Sequence, residues 1–488
     1  MTNLSDLLPA GASAKKVEVT ASGAVSNGDT VILNTNGTVS VVAAISESKG
    51  SAATFESAHV RYFDSVHEPV ADKIVISYAD AGNGHYLTVV VGDVSGSSIT
   101  FGTPVVCYSY STSHTSIAFN SGNNTIGIAF QANTWGRHAV GSVSGTAFTL
   151  GGTGDFYGAT AGECSLAYNV AADRWVVMLE AISNSNYPYY YSGTGSATSI
   201  SWSGANLIKS SAGYWPNVVY DPNSERMVFI WRDSGNSNYG TAVVGEINGS
   251  KTGYDLGTAV VFESGITDYP DACFDSDNNL VVIGYQDVSD SSKVKVVAGS
   301  VSGSGSSSTI DFGDPVSVDG QVSNQMSITY DTINQKAVVG IRHNTNGRPM
   351  VYNATISSTK SISVDTGFEI STNGTDSTVY SAITVAHDPD QAKIAVLHTN
   401  SNTSGQGTVY QPPSSNALPA PKFAGIAEAA ISDTATGEIV LVGGISEKFS
   451  GLTIGSTYYL QADGSVSVTA SNIVVGVAIS ATSILLKG

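Results

Sequence analysis

The sequence predicts an all-β protein, on three observations. Gly, Ser, Thr, Asn and Val dominate, Tyr is abundant and Lys, Arg and Leu are scarce, a composition that favours strands and turns over helices. Apolar residues make up 41% of the chain and recur in short alternating runs, the period of a half-buried strand. Third, one strand–turn–strand pattern returns along most of the chain at a fixed interval.

The repeat is visible when strands are aligned on an aromatic or His residue followed by Asp or Asn. The runs are "HVRYFD" ending at Asp64, "TSIAFN" at Asn120, "CSLAYN" at Asn169, "PNVVYD" at Asp221, "PDACFD" at Asp275, "MSITYD" at Asp331 and "ITVAHD" at Asp388. These seven copies lie about 49 to 57 residues apart, within the range of propeller blades and solenoid units. The Asp or Asn suits a turn because its side chain can accept from the backbone two residues on. An apolar strand follows each turn, as in "RMVFIW" and "LVVIGY", then a polar loop and a third strand such as "GTAVVGEI". A fourth strand carries an F-G or L-G turn, as in "ITFGTPVVCY". Four short antiparallel strands per repeat predict a seven-bladed β-propeller, over residues 49–418. Its seventh repeat is incomplete, and "ATFESA" (53–58) resembles the outer strand "VVFESG" that ends at Gly265. The expectation is that the early segment supplies the last blade's outer strand, which leaves no open edge.

The remaining pieces, residues 1–48 and 419–488, flank this repeat, with "NALPAPKFAG" as the linker. "SGAVSNGDTVILNTNGTVSVV" (22–42) and "GLTIGSTYYLQADGSVSVTA" (451–470) each hold a β-rich run, an N-G or D-G turn (Asn36-Gly37, Asp463-Gly464) and T/S-V-S-V. Asn36-Gly37 suits a two-residue hairpin turn, which needs φ > 0. A propeller brings its two chain ends together, so the terminal pieces are expected to form one small β-domain carrying the propeller as an insertion.

"FAGIAEAAISDTATGEIVLVGG" (423–444), "GLTIGSTYYLQADGSVS" (451–467) and "VVGVAISATSILLK" (474–487) resemble a small module of bacteriophage tail fibres and related virion proteins. The resemblance continues at the N-terminal side in "SNGDTVILNTNGTVSVV" (26–42), and the two terminal pieces that carry it make up about a quarter of the chain. It implies a structural virion protein, a tail fibre or appendage made in the host cytoplasm. It also implies other virion proteins as partners and assembly as a homo-oligomer such as a trimer. Two alternatives stay open: a capsid or tail decoration with an architectural propeller, and a glycan-degrading enzyme on a propeller scaffold.

Charge and motifs narrow the class. The formal net charge is −19, and without a basic stripe nucleic acid is not an expected partner. No apolar run approaches the length of a membrane span. "MTNLSDLLPAGASAKK" has no basic segment followed by an apolar core, so a secretion signal is not expected. Cys107, Cys164 and Cys273 form neither a disulfide framework nor a zinc motif. Nucleophile elbows, HExxH and phosphate loops are missing, and the eight histidines are scattered, so catalytic residues, cofactors and metals are not expected. The carboxylate pairs Asp275/Asp277 and Asp388/Asp390 read as solvated turn residues.

One pattern points to binding. The loops between second and third strands, and the segments leading into each blade, share one propeller face. They carry Trp135, Arg137, Tyr187, Tyr189, Trp231, Arg232 and Arg342, and His114, Glu163, Trp215, Tyr269 and Gln325. Flat rings stack on the apolar faces of sugars, while amides and carboxylates bond hydroxyls. A host-surface glycan is the expected ligand, with Trp135, Arg137, Tyr187, Tyr189, Trp215, Trp231, Arg232, Tyr269 and Arg342 as candidate contacts.

Overall fold

The computed structural model describes residues 15–487 except 34–36, 43–45, 344–345, 375–381, 401–403, 414–422, 462–463 and 471–472, and for 321–324 the backbone alone. Among the described residues the regular structure is β-strand with a few one-turn 3₁₀ segments. The chain forms two compact units, Ser48–Gln411 and the two terminal pieces Met1–Glu47 and Pro412–Gly488.

Within Ser48–Gln411 the strands form antiparallel meanders, seven among the described residues. The fourth runs through Gly213–Asp221, Arg226–Asp233, Tyr239–Ile247 and Tyr254–Leu256. Alternation places one side of each strand against a neighbouring meander. Met227, Phe229 and Trp231 pack with Val176 and Met178 of the third meander, while Val228 and Ile230 pack with Val281 and Ile283 of the fifth. Three long strands, Val105–Asn120, Val260–Asp275 and Val316–Asp331, each serve two meanders. The first half of Val260–Asp275 pairs with Tyr239–Ile247, and its second half pairs with Leu280–Asp287. The seventh meander ends with Ser404–Gln411, which pairs with Ser48–Lys49 and Ala53–Glu56 from the start of the unit. There Phe55 fills the space beside Gly405, where any Cβ would collide with its ring.

The turn after each innermost strand is closed by a buried cap. Asn120, Asn169, Asp221, Asp275, Asp331 and Asp388 each accept a backbone N–H two or three residues on. These caps are almost wholly buried, which corrects the expectation that Asp275 and Asp388 are solvated. Each carboxylate or amide is covered by the next meander and replaces water with backbone donors. In the first meander the cap is Glu68, which accepts from Val70 and Ala71. Asp64 lies four residues earlier in the innermost strand, opposite Ser77. The alignment of "YFD" with the other caps is therefore out of frame.

In the terminal unit, strands from both chain ends share one sheet. Lys16–Thr20 pairs with Thr436–Leu441, and Thr30–Leu33 pairs with Phe423–Ala427. A second sheet is drawn wholly from the C-terminal piece. The two sheets repeat one pattern. The hairpin of Thr30–Leu33 and Val39–Val41 corresponds to that of Thr457–Leu460 and Val466–Ser467. Phe423–Ala427 then corresponds to Val474–Ala478, and Thr436–Leu441 to Ile484–Leu486. Gly28 donates to the carbonyl of Ala427 just as Gly455 donates to that of Ala478, and both have left-handed φ (+87° and +85°). Gly425 and Gly476 lie where a Cβ would come within about 2 Å of the Val440 and Leu485 carbonyls (2.0 and 2.1 Å). The look-alike segments are thus the hairpins of two successive modules, the first of which is continued only after the long central unit. Each hairpin pairing, Leu33 with Val39 and Leu460 with Val466, leaves an odd number of residues between its strands. A two-residue turn calls for an even number. Asn36, Asp463 and residues 414–422 of the expected linker lie outside the described residues.

Candidate functional site

The innermost strands of all seven meanders surround a central channel. Each contributes one polar side chain at the same depth: Asp64, Ser116, Ser165, Asn217, Asp271, Ser327 and Thr384. These side chains link one meander to the next. Asp64 Oδ2 accepts from the backbone N–H of Ile117 (3.1 Å), Ser116 Oγ from Leu166 (3.0 Å) and Ser165 Oγ from Val218 (3.1 Å). The Asn217 amide donates to Asp271 Oδ1 (3.1 Å), whose Oδ2 accepts from Ile328 (2.9 Å). Ser327 Oγ accepts from Val385 (3.4 Å), and Thr384 meets Ser65 (3.1 Å), which closes the belt.

One mouth of the channel is aromatic. In five innermost strands the register slips at the mouth, between Arg61 and Asp64, Ser113 and Ser116, Tyr214 and Asn217, Asp268 and Asp271, and Ser323 and Met326. Such bulges re-aim a side chain. In four of them the bulge residue has left-handed φ: Tyr62 (49°), His114 (52°), Trp215 (55°) and Tyr269 (49°). This conformation costs a bulky residue on the order of 1–3 kcal/mol and clusters at functional sites. All four line the mouth. Trp215 and Tyr269 have ring centroids 4.0 Å apart, and Tyr62 and His114 4.8 Å.

Around these rings sits a charged set. Trp215 donates its indole N–H to Asp268 Oδ1 at 3.0 Å. Arg232 pairs with the same carboxylate and stacks on Tyr214 at 4.7 Å. Burial, reinforced by the neighbouring Glu180 charge, pushes the Glu163 carboxyl well up, and burial pushes Glu180 up to about 7. Deeper in the channel, burial and the charge of Asp271 push Asp64 up to about 7. Burial lowers His114 to about 4, so its ring is neutral at pH 7. The mouth therefore offers flat rings beside carboxyl groups able to donate as well as accept, a chemistry suited to hydroxyl-rich ligands.

Of the sequence-predicted contacts, Trp215, Tyr269 and Arg232 meet at this mouth. Trp135 and Arg137 form a separate cluster, with Arg137 over the Tyr108 (5.0 Å) and Trp135 (5.2 Å) rings and paired with Asp155 at 2.6 Å. Tyr187 and Tyr189 are half-buried on the third strand of their meander, where Asn184 donates to the Tyr189 hydroxyl. Trp231 is wholly buried in the packing between meanders, and Arg342 is buried as well. Strand alternation turns Trp231 away from the surface that its loop reaches, so neither residue is a surface contact. Tyr62 and Asp64 escape the sequence reading, because "YFD" looks like a turn. The pattern aromatic–x–Asp/Asn, shared by "YFD", "WPN" and "YPD", could have found them.

No protein-family model matches the chain, and no curated protein matches it. Among solved structures, the BP39L lectin from Burkholderia pseudomallei is similar over 73% of this chain and 99% of its own, at TM-score 0.53 and 12% identity. The β-propeller domain of Myceliophteria thermophila Cps50 (Swd1) is similar over 75% of this chain and 100% of its own, at TM-score 0.50 and 10% identity. The fold is that of a β-propeller.

Proposed function

We propose that the protein is a structural component of a bacteriophage particle, a tail fibre or appendage, whose seven-bladed propeller is inserted into a duplicated terminal β-module and binds a host-surface glycan. One observation carries the binding role. Four rings are lifted into the channel mouth on left-handed bulges beside Glu163, Asp268 and Arg232. The assignment to a virion rests on the resemblance of the terminal segments to tail-fibre modules. In this reading that module joins other virion proteins and assembles as an oligomer such as a trimer. Several copies then engage the surface together, so weak contacts at each mouth become firm attachment. Adsorption of particles carrying Trp215→Ala and Tyr269→Ala tests it. Adsorption should fall with particle assembly intact. Normal adsorption of the assembled variant particles would instead mark the propeller as an architectural decoration.

A second reading is favoured by the neighbouring Glu163 and Glu180 carboxyls. Glu163, the more strongly raised, can hold the proton that an acid gives, while Glu180, at about 7, is partly ionised near neutral pH as a base in glycan hydrolysis must be. Release of reducing ends from host envelope, abolished by Glu163→Gln, would establish it. Glycan retained intact by the wild type would exclude it for that envelope.

A further inference from the structure

The seam between the seventh and first meanders carries a second cluster, beyond the polar belt from the aromatic mouth. His67 Nε2 lies 3.0 Å from Asp72 Oδ1, and a carboxylate oxygen of Asp388 lies within 4.8 Å of both ligand atoms. His67 and Asp72 belong to the first meander, whereas Asp388 is the cap of the seventh.

Asp388 differs from its counterparts. In Asp221, Asp275 and Asp331, Oδ1 takes backbone N–H groups and Oδ2 takes a side-chain donor three residues on: Ser224 Oγ (2.6 Å), Asn278 Nδ2 (2.9 Å) and Asn334 Nδ2 (2.7 Å). The turns read "DPNS", "DSDN" and "DTIN", but at the closing seam "DPDQ". There Gln391 donates only its backbone N–H to Asp388 Oδ1, at 3.0 Å. Asp388 is fully buried, and its Oδ2 accepts from no N–H or hydroxyl group but lies against the Asp72 carboxyl. A buried carboxylate oxygen without such a donor is costly. Here it faces a second carboxylate and an imidazole.

We propose that His67, Asp72 and Asp388 hold a divalent transition-metal ion of the zinc or manganese kind, as a clip across the seam that closes the ring. Two carboxylates match the ion's charge. The imidazole nitrogen favours these metals over Ca²⁺ and Mg²⁺, which take oxygen ligands. Bonds of roughly 2.0–2.2 Å space tetrahedral ligands about 3.4 Å apart, within the span of the cluster. Water would complete the coordination. The ligands come from opposite ends of Ser48–Gln411, so the ion binds only the closed ring and stabilises it by mass action.

The test uses the full chain, stripped with a chelator and titrated with Zn²⁺ or Mn²⁺ alone, and reads bound metal and the unfolding midpoint. One equivalent should bind, and the midpoint should rise by about 2 °C or more. His67→Ala and Asp388→Asn should each lose at least about tenfold in metal affinity and most of the rise. Asp72→Asn, on the half-buried turn, should do the same and serves if Asp388→Asn does not fold. The proposal is overturned if the wild type retains no metal at micromolar concentrations. It is equally overturned if the variants bind metal like the wild type, or if Asp388→Asn raises the midpoint to the same degree with and without metal.

Discussion

The Trp215 indole N–H and the Asp268 carboxylate meet at 3.0 Å, and Arg232 holds the same carboxylate from the neighbouring strand. The carboxylate thus fixes an aromatic platform and a guanidinium together at the channel mouth. Removing Trp215 and Tyr269 should lower glycan binding at least about tenfold, the effect of losing about 1.4 kcal/mol. The unfolding midpoint should stay close to the wild type, because both rings are half-buried. Glycan-array binding and thermal unfolding of the double variant are the measurements, and undiminished binding would remove the mouth from consideration.

Trp231→Ala should behave differently. This ring is enclosed between the third and fourth meanders beside Met178 and Phe229, so its loss should cost about 3–5 kcal/mol. Denaturant unfolding should show the shift. Any loss of binding should track the loss of folded protein.

Asp64 predicts a pH dependence. Its folded carboxyl keeps a proton up to about 7, against about 3.9 when unfolded. The folded state therefore binds more protons between these values. This contribution is fully present below about pH 4 and is lost as pH rises towards 7. His138 and His398 act in the opposite sense. Burial lowers each to about 4, so their contribution is lost as pH falls from about 6.5 to 4. Asp64→Asn removes the titration and keeps one acceptor oxygen, for Ile117 or for Ser65 but not both, so it also carries a loss that does not vary with pH. Its stability relative to the wild type should rise between about pH 4.5 and 7, read from urea midpoints. An equal difference at both pH values would show that Asp64 titrates as in the unfolded chain.

Deleting residues 48–58 from the isolated Ser48–Gln411 unit should expose the edge of Ser404–Gln411, which now pairs with Ser48–Lys49 and Ala53–Glu56. An unprotected edge strand templates aggregation. The intact unit should remain monomeric by light scattering and unfold cooperatively, while the truncated one should associate. A monomeric truncated unit of unchanged stability would mean that this edge needs no cover.

Much of the fold is legible locally. The caps from Asn120 to Asp388 announce themselves because an Asx turn uses neighbours two or three residues away. "ATFESA" is recognisable as an outer strand from its likeness to "VVFESG", and Ala53–Glu56 does pair with Ser404–Gln411 at the edge of the seventh meander. The likeness holds because these two outer strands meet the same neighbours. Phe55 packs against Gly405 of its partner strand, as Phe262 packs against Gly240 of its own.

The candidate site is legible in part. Trp215 and Tyr269 stand out as aromatic residues followed by Pro and then Asn or Asp, whereas Trp231 and Arg342 look equivalent to them and are buried. The difference lies in one residue of strand phase. Strand phase buries Trp231 and Arg342, while the bulges at Trp215 and Tyr269 are marked in the sequence only by the aromatic–Pro–Asn/Asp pattern.

Strand period, turn chemistry and repeat spacing are local properties, so the amino-acid order alone is enough to establish an all-β chain built from a repeated meander with similar modules at its ends. The polar belt, the aromatic mouth and the His67–Asp72–Asp388 cluster join residues about 50 to more than 300 positions apart. Closure of the ring decides which of them meet. Burial then decides their protonation, because a carboxyl such as Asp64 is an ordinary acid in the open chain and holds its proton to about 7 only when the channel walls exclude water.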